Sequence, residues 1–116
     1  FCGAGRPLLL VRNNSLIEFK KGPDSIGYSS KENKQFDTVY FDLREGDNFY
    51  LFSDGYTDQF GGENVKKFNR ERFRNLLLSM NDMSLDKQKK ELIFSYNNWK
   101  GKQDQIDDVC VIGVKI

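Results

Sequence analysis

The sequence contains no histidine and only two cysteines, and these shortages remove much of the usual catalytic repertoire. Without an imidazole there is no phosphohistidine intermediate and no histidine-based nucleophile triad. Cys2 and Cys110 stand at opposite ends of the chain with no Cys-x-x-Cys spacing, so neither a disulfide framework nor a zinc centre is expected. Reduced thiols in a cytoplasmic setting fit this usage. Cys110, inside the apolar run from Val109 to Val114, reads as a small buried hydrophobe rather than a nucleophile. An excess of one charge sign is also missing: 18 basic residues face 17 acidic ones, a net charge of +1. A phosphate-backbone binder needs a concentrated basic face, so nucleic acid is not an expected partner. The doublets Lys20-Lys21, Lys66-Lys67 and Lys89-Lys90 are scattered and read as solvated surface. Nor does any apolar run approach the ~20 residues of a membrane-spanning helix, so this segment carries neither such a helix nor a signal peptide. Segments upstream in a parent protein could still anchor it.

What is present suits a globular chain: 116 residues with 38% hydrophobic and 30% charged side chains form one domain or part of one. Leu8 to Arg12 and Ser15 to Lys20 flank Asn13-Asn14, a pair that tolerates the positive φ angles of a two-residue β-hairpin turn. Lys21-Gly22-Pro23-Asp24 breaks the strand, and Tyr28 to Gln35 reads as a polar loop. Thr38 to Leu43 alternates and, with Arg44-Glu45-Gly46-Asp47 as a turn, is expected to pair with Asn48 to Ser53 in a second hairpin. Asn69 can cap a helix whose Phe73, Leu76, Leu77 and Met80 form one stripe. Ser84 can cap another, with Leu85, Leu92, Ile93, Tyr96 and Trp99 on one side and Gly101 at its end. The last strand, Val109 to Val114, is apolar almost throughout, which predicts a central strand covered on both faces. Trp99 and the phenylalanine-rich strands read as core.

Two acidic sites are framed by these apolar runs. Ser53-Asp54-Gly55-Tyr56-Thr57-Asp58 follows one strand, and Asp107-Asp108 opens the last. Carboxylates at the ends of buried strands must be hydrogen-bonded, paired or metal-bound. Read separately, Asp54 could be a turn residue held by backbone N–H groups, with Gly55 supporting the turn, and Asp107-Asp108 a solvated loop end. Read together they look like halves of a hard-cation site, because a histidine-free, aspartate-rich donor set suits Mg²⁺ or Mn²⁺. Asp58 reads as a surface or helix-capping residue. Gly3-Ala4-Gly5-Arg6-Pro7 is either a tight turn into the first hairpin or a glycine loop whose Arg6 contacts phosphate.

The order Ala4-Gly5-Arg6-Pro7, Ser25-Ile26-Gly27, Glu45-Gly46-Asp47, Ser53-Asp54-Gly55-Tyr56-Thr57-Asp58, two helical patterns and Asp107-Asp108-Val109-Cys110 resembles the C-terminal half of a PPM-type metal-dependent protein serine/threonine phosphatase of the bacterial SpoIIE/RsbU-like branch. Arg6 stands where that family usually has His, Asp58 where it has Glu, and Cys110 where it has Thr. The resemblance implies an α+β fold, part of an α-β-β-α sandwich with antiparallel sheets flanked by helices. It implies a two-metal Mg²⁺ or Mn²⁺ site with Asp54 and Asp107 as ligands, Asp108 supporting Asp107 or replacing it. It further implies hydrolysis of phosphoserine or phosphothreonine in a phosphoprotein substrate, in this branch often an anti-sigma-factor antagonist. Because Phe1 falls in mid-domain by this comparison and the family's N-terminal metal motif has no counterpart, residues 1–116 are expected to be the C-terminal half of the phosphatase domain, inactive alone and prone to self-association. A non-catalytic interaction module on the same scaffold, or an unrelated metal-binding α+β domain, are the competing expectations.

Overall fold

The structure, a computed structural model, describes residues 1–20, 22, 26 and 36–116. The Ser25-Ile26-Gly27 element, Ile26 apart, and the loop from Tyr28 to Gln35 lie outside the described residues, as does most of the expected strand break at 21–24. In chain order the elements are β1 (Leu8–Arg12), β2 (Ser15–Phe19), β3 (Asn48–Phe52), α1 (Asp54–Asp58), β4 (Phe60–Gly61), β5 (Lys66–Lys67), α2 (Arg70–Ser79), α3 (Leu85–Lys100) and β6 (Val111–Lys115). Four strands make one antiparallel sheet in the order β2-β1-β3-β6, and β4 pairs with β5 in a small separate ribbon.

The first hairpin forms as its sequence predicts. Asn13 and Asn14 sit at φ 50° and 56°, the doubly left-handed turn that matches strand twist, and they set the register Arg12 opposite Ser15 and Leu10 opposite Ile17. The second expected hairpin does not form. Both edges of β3 are already hydrogen-bonded, to β1 and to β6, so residues 38–43 have no ladder to join. Thr38 makes only an isolated bridge to Cys2, and Phe41 instead stacks on Phe19 at 4.4 Å and leans on Phe49 at 5.7 Å.

The sheet is apolar on both faces, and this decides the architecture. On one face Leu9, Val11, Tyr50 and Phe52 join Phe73, Leu77 and Met80 of α2 and Tyr96 of α3 in the main core. On the other, Leu8, Leu10 and Phe49 pack with Phe1, Phe19 and Phe41. Among the described residues, helices cover the first face alone. β6 lies at the sheet's edge rather than at its centre, and its Ile112 and Val114, with Leu51 of β3 beside them, are exposed. The continuous apolar run at 109–114 therefore reports two apolar faces without two covered ones. A mixed helix and antiparallel-sheet layer of this kind is an α+β arrangement.

Asn69 caps α2, its side-chain oxygen accepting from the Arg72 N–H at 3.0 Å, whereas the Ser84 side chain makes no capping bond to α3. Gly101, at φ 54°, ends α3. α3 docks through a polar group that amphipathic patterning passes over: Gln88 is buried, accepts from the Tyr50 hydroxyl at 2.8 Å and donates to Asn48 Oδ1 at 3.1 Å. Leu85 and Ile93, expected on the buried side, are exposed. At the start of β3 the expected turn is present, with Gly46 at φ 86° and Asp47 buried. Arg12 grips both Asp47 oxygens, at 2.7 and 2.6 Å, and the Arg44 N–H donates at 2.9 Å. The guanidinium, chiefly, holds this carboxyl below the usual carboxylate range. Asp47 precedes β3 and Asp54 follows it, so this pair braces the end of the sheet away from the acidic site.

Candidate metal centre

β3 and α1 meet at Ser53, and this junction positions the first acidic site. Asp54 is not in an open turn but is the first residue of the one-turn helix α1. That helix is anchored by Tyr56, buried among Phe68, Phe73 and Tyr96 with ring centroids about 5 Å apart, whose hydroxyl donates to the Leu92 carbonyl at 2.8 Å. Burial pushes the Tyr56 hydroxyl up to about 12, so it stays a neutral donor. Thr57 adds a bond from its hydroxyl to the Asp54 carbonyl at 3.1 Å, and the Asn69 N–H donates to the Thr57 carbonyl at 2.8 Å. Just beyond α1, buried Gln59 ties three segments together. It accepts from the Tyr96 hydroxyl and donates to the Asp104 carbonyl, both at 2.8 Å, while its own carbonyl accepts from the Trp99 indole at 3.1 Å. Nothing in the apolar periodicity marks Gln59 as a hub.

The second acidic site is brought against the first by backbone contacts. The Ser53 hydroxyl donates to the Asp108 carbonyl at 2.8 Å and accepts from the Cys110 N–H at 3.0 Å, and the Ser53 N–H donates to the Cys110 carbonyl at 2.9 Å. The Ser53 N–H bond continues the β3–β6 register, in which Phe52 faces Val111, by one residue, while the Cys110 N–H goes to the Ser53 hydroxyl, and regular pairing begins at Val111. Gly55 faces the same stretch. A Cβ there would run into the Asp108 carbonyl oxygen, with the Asp108 carbonyl carbon 2.9 Å and the Asp107 oxygen 3.2 Å away. Gly55 therefore serves a close approach of two backbones. Cys110 is exposed, not the buried hydrophobe expected, because it leads directly into β6, the edge strand of the sheet.

The side chains around this junction are acidic, and Arg6 pairs with one of them. Arg6 forms a forked pair with Asp54, Nη1 to Oδ2 at 2.9 Å and Nη2 to Oδ1 at 3.0 Å, both side chains about half exposed. That bond holds the Asp54 carboxyl below its ordinary range, and Asp54 first, then Asp107 and Asp58, favour the charged guanidinium. Asp107 accepts from the Asp108 N–H at 2.7 Å. Asp58, at the far end of α1, pairs with Lys67 at 3.0 Å on the surface. The structure thus gathers Arg6, Asp54, Gly55, Asp107 and Asp108 and leaves Asp58 aside. The donors are carboxylates and carbonyls, the oxygen chemistry that Mg²⁺ or Mn²⁺ takes. Among the described residues no three carboxylates or thiols converge into a complete ligand set, so these aspartates would supply only part of one.

This α+β arrangement, a sheet apolar on both faces with helices on one and an acidic strand-end junction, matches part of a PP2C-type fold. The chain belongs to the SpoIIE family (Stage II sporulation protein E), which it matches over residues 1–116. It is similar to the solved SiaA-PP2C domain of Pseudomonas aeruginosa, with a TM-score of 0.88 and 25% sequence identity over 97% of this chain. The match spans 44% of that domain's chain, less than half its length. No curated protein sequence matches significantly. No helix among the described residues is long and apolar enough to cross a membrane.

Proposed function

We propose that this chain is the C-terminal part of a metal-dependent protein serine/threonine phosphatase, and that Asp54 and Asp107 are its contribution to the metal site. The observation that carries this reading is the seating of Asp107-Asp108 against Gly55, which puts two carboxylate-bearing segments from distant parts of a SpoIIE-family chain at one strand end. Bound Mg²⁺ or Mn²⁺ would supply an acidified water and neutralise phosphoryl charge. The chain's own residues do the positioning: Tyr56 and Gln59 fix α1, Ser53 fixes the 108–110 backbone, and Asp108 braces Asp107 through its N–H. The substrate class is a phosphoserine or phosphothreonine protein in bacterial signalling, an anti-sigma-factor antagonist being the candidate within this branch.

The test is made in the full-length parent. Asp54→Asn and Asp107→Asn should each reduce Mn²⁺-stimulated hydrolysis of a phosphoprotein at least a hundredfold, judged by the magnitude of deleting one electrostatic contact to the transition state, with far-UV circular dichroism unchanged. Cys110→Ser should leave the rate within about twofold, as a surface change does. Equal losses in all three would point to thiol chemistry instead. A second reading, a non-catalytic module, draws on the Arg6–Asp54 pair, which already satisfies one of the two carboxylates. Retained binding of partners by an Asp54→Asn parent with no measurable activity in the unmodified one would favour it.

A further inference from the structure

Arg6 engages both oxygens of Asp54, and we propose that it is a resident cation that divalent metal must displace, a latch that sets the metal concentration at which the site fills. The inference rests on the metal-site reading above and adds a regulatory element to it. A forked guanidinium–carboxylate pair places one N–H on each oxygen, at 2.9 and 3.0 Å here, and so occupies the inward lone pairs that a cation would also use. Metal binding at Asp54 is then an exchange of one cation for another rather than an addition. The guanidinium also brings a positive charge to the place where a dication must arrive, with Asp107 close enough to add to its attraction.

Two features make the latch releasable. The Arg6 side chain is about half exposed, so it can leave for solvent without losing a buried environment. Its backbone is set by its neighbours, Gly5 at φ 78° before it and buried Pro7 after it, so the side chain can swing while the loop stays in place. Nothing else is required of the fold. Lysine could not reproduce the device, because an ammonium is a point charge without the two-pronged geometry.

The experiment is Mn²⁺ titration of the full-length parent by calorimetry, with Mn²⁺ as the sole ligand, for the unmodified protein and for Arg6→Gln, Arg6→Lys and Asp54→Asn. Arg6→Gln should tighten Mn²⁺ binding about three- to fivefold, the scale of a half-exposed pair that no longer has to be broken. Arg6→Lys should fall between Arg6→Gln and the unmodified protein, and Asp54→Asn should bind least. Binding by Arg6→Gln that is unchanged or weaker, while Asp54→Asn still loses it, overturns the latch and leaves the metal site standing. Mn²⁺ affinity that is the same with Asp54 and with Asn at that position overturns the metal-site reading, and the latch with it. Melting curves with and without Mn²⁺ give an independent readout. The metal-free melting point should drop slightly in Arg6→Gln, and the Mn²⁺-induced rise should be larger than in the unmodified protein.

Discussion

Gly55 carries more of the site than its neighbours' chemistry suggests. In sequence it looks like a turn glycine after an aspartate, chosen for backbone freedom, yet it lies inside α1 and what it provides is space. The atoms it makes room for belong to Asp107 and Asp108, and no local pattern can announce a contact with residues so distant in sequence. Contrast Gly46 and Gly101, where an added Cβ would meet nothing within 4 Å and the positive φ alone asks for glycine. Gly55→Ala should destabilise the chain by about 1–3 kcal/mol, the range for overpacking a closed contact. Urea melts measure this, and in the full-length parent the same change should weaken Mn²⁺ binding, because the 107–108 backbone must back away from α1. A neutral effect on both would show that the close approach is not needed. Arg6 and Asp54 were each visible as charged residues in turn-like segments, but their pairing was not. It depends on the antiparallel register of β1 on β3, Leu9 opposite Tyr50, which brings the residues before β1 beside the end of β3.

Local grammar is legible at the level of elements wherever one stretch decides its own conformation. Asn13-Asn14 states its turn, the stripe of Phe73, Leu77 and Met80 states the buried face of α2, and Gly101 states where α3 stops. Competition between segments is not legible. Residues 38–43 alternate as a strand should, and lose their place because β1 and β6 take both edges of β3. α3 shows a third limit: its burial is organised by Gln88, which looks like surface until Asn48 and Tyr50 are seen beneath it. The two helix starts give a test of how far cap signals can be trusted here. Asn69 both caps α2 and holds φ 70° with ψ 164°, an extended positive-φ backbone that strains asparagine and alanine alike. Asn69→Ala should cost about 1 kcal/mol, the loss of the cap bond. The Ser84 hydroxyl makes no capping bond, and its carbonyl, which accepts from Gln88 N–H at 2.9 Å, survives substitution. Ser84→Ala should therefore stay within about 0.5 kcal/mol. Paired denaturation midpoints check the contrast, and comparable losses would mean that Ser84 reaches its helix N–H groups in solution.

On the scale of the whole molecule, the dominant feature among the described residues is the exposed apolar surface along β6 on the sheet face without helices. Leu51, Ile112, Val114 and Ile116 lie with Leu8 and Phe49 around an apolar depression of about 360 Å³, opposite the helices. Among the described residues β6 has no strand on its outer edge, and Lys115 is the one charge the strand carries. A monomer rarely leaves such a surface to water, and an edge of this kind is a template for another strand. The chain aligns with less than half of the solved SiaA-PP2C domain. Taken as an isolated 116-residue protein, the chain should cover the face with a second copy. It should also bind Mn²⁺ weakly, since two carboxylates cannot hold two cations against their hydration shells, and it should not hydrolyse a generic phosphate ester. Light scattering of the purified chain should report a dimer or larger species. Ile112→Lys with Val114→Lys should shift it toward monomer without loss of helix content, because both side chains point away from the main core. A monodisperse monomer that turns over phosphate ester with Mn²⁺ would establish that these residues are a complete enzyme, and that the apolar face is covered by something the sheet itself provides.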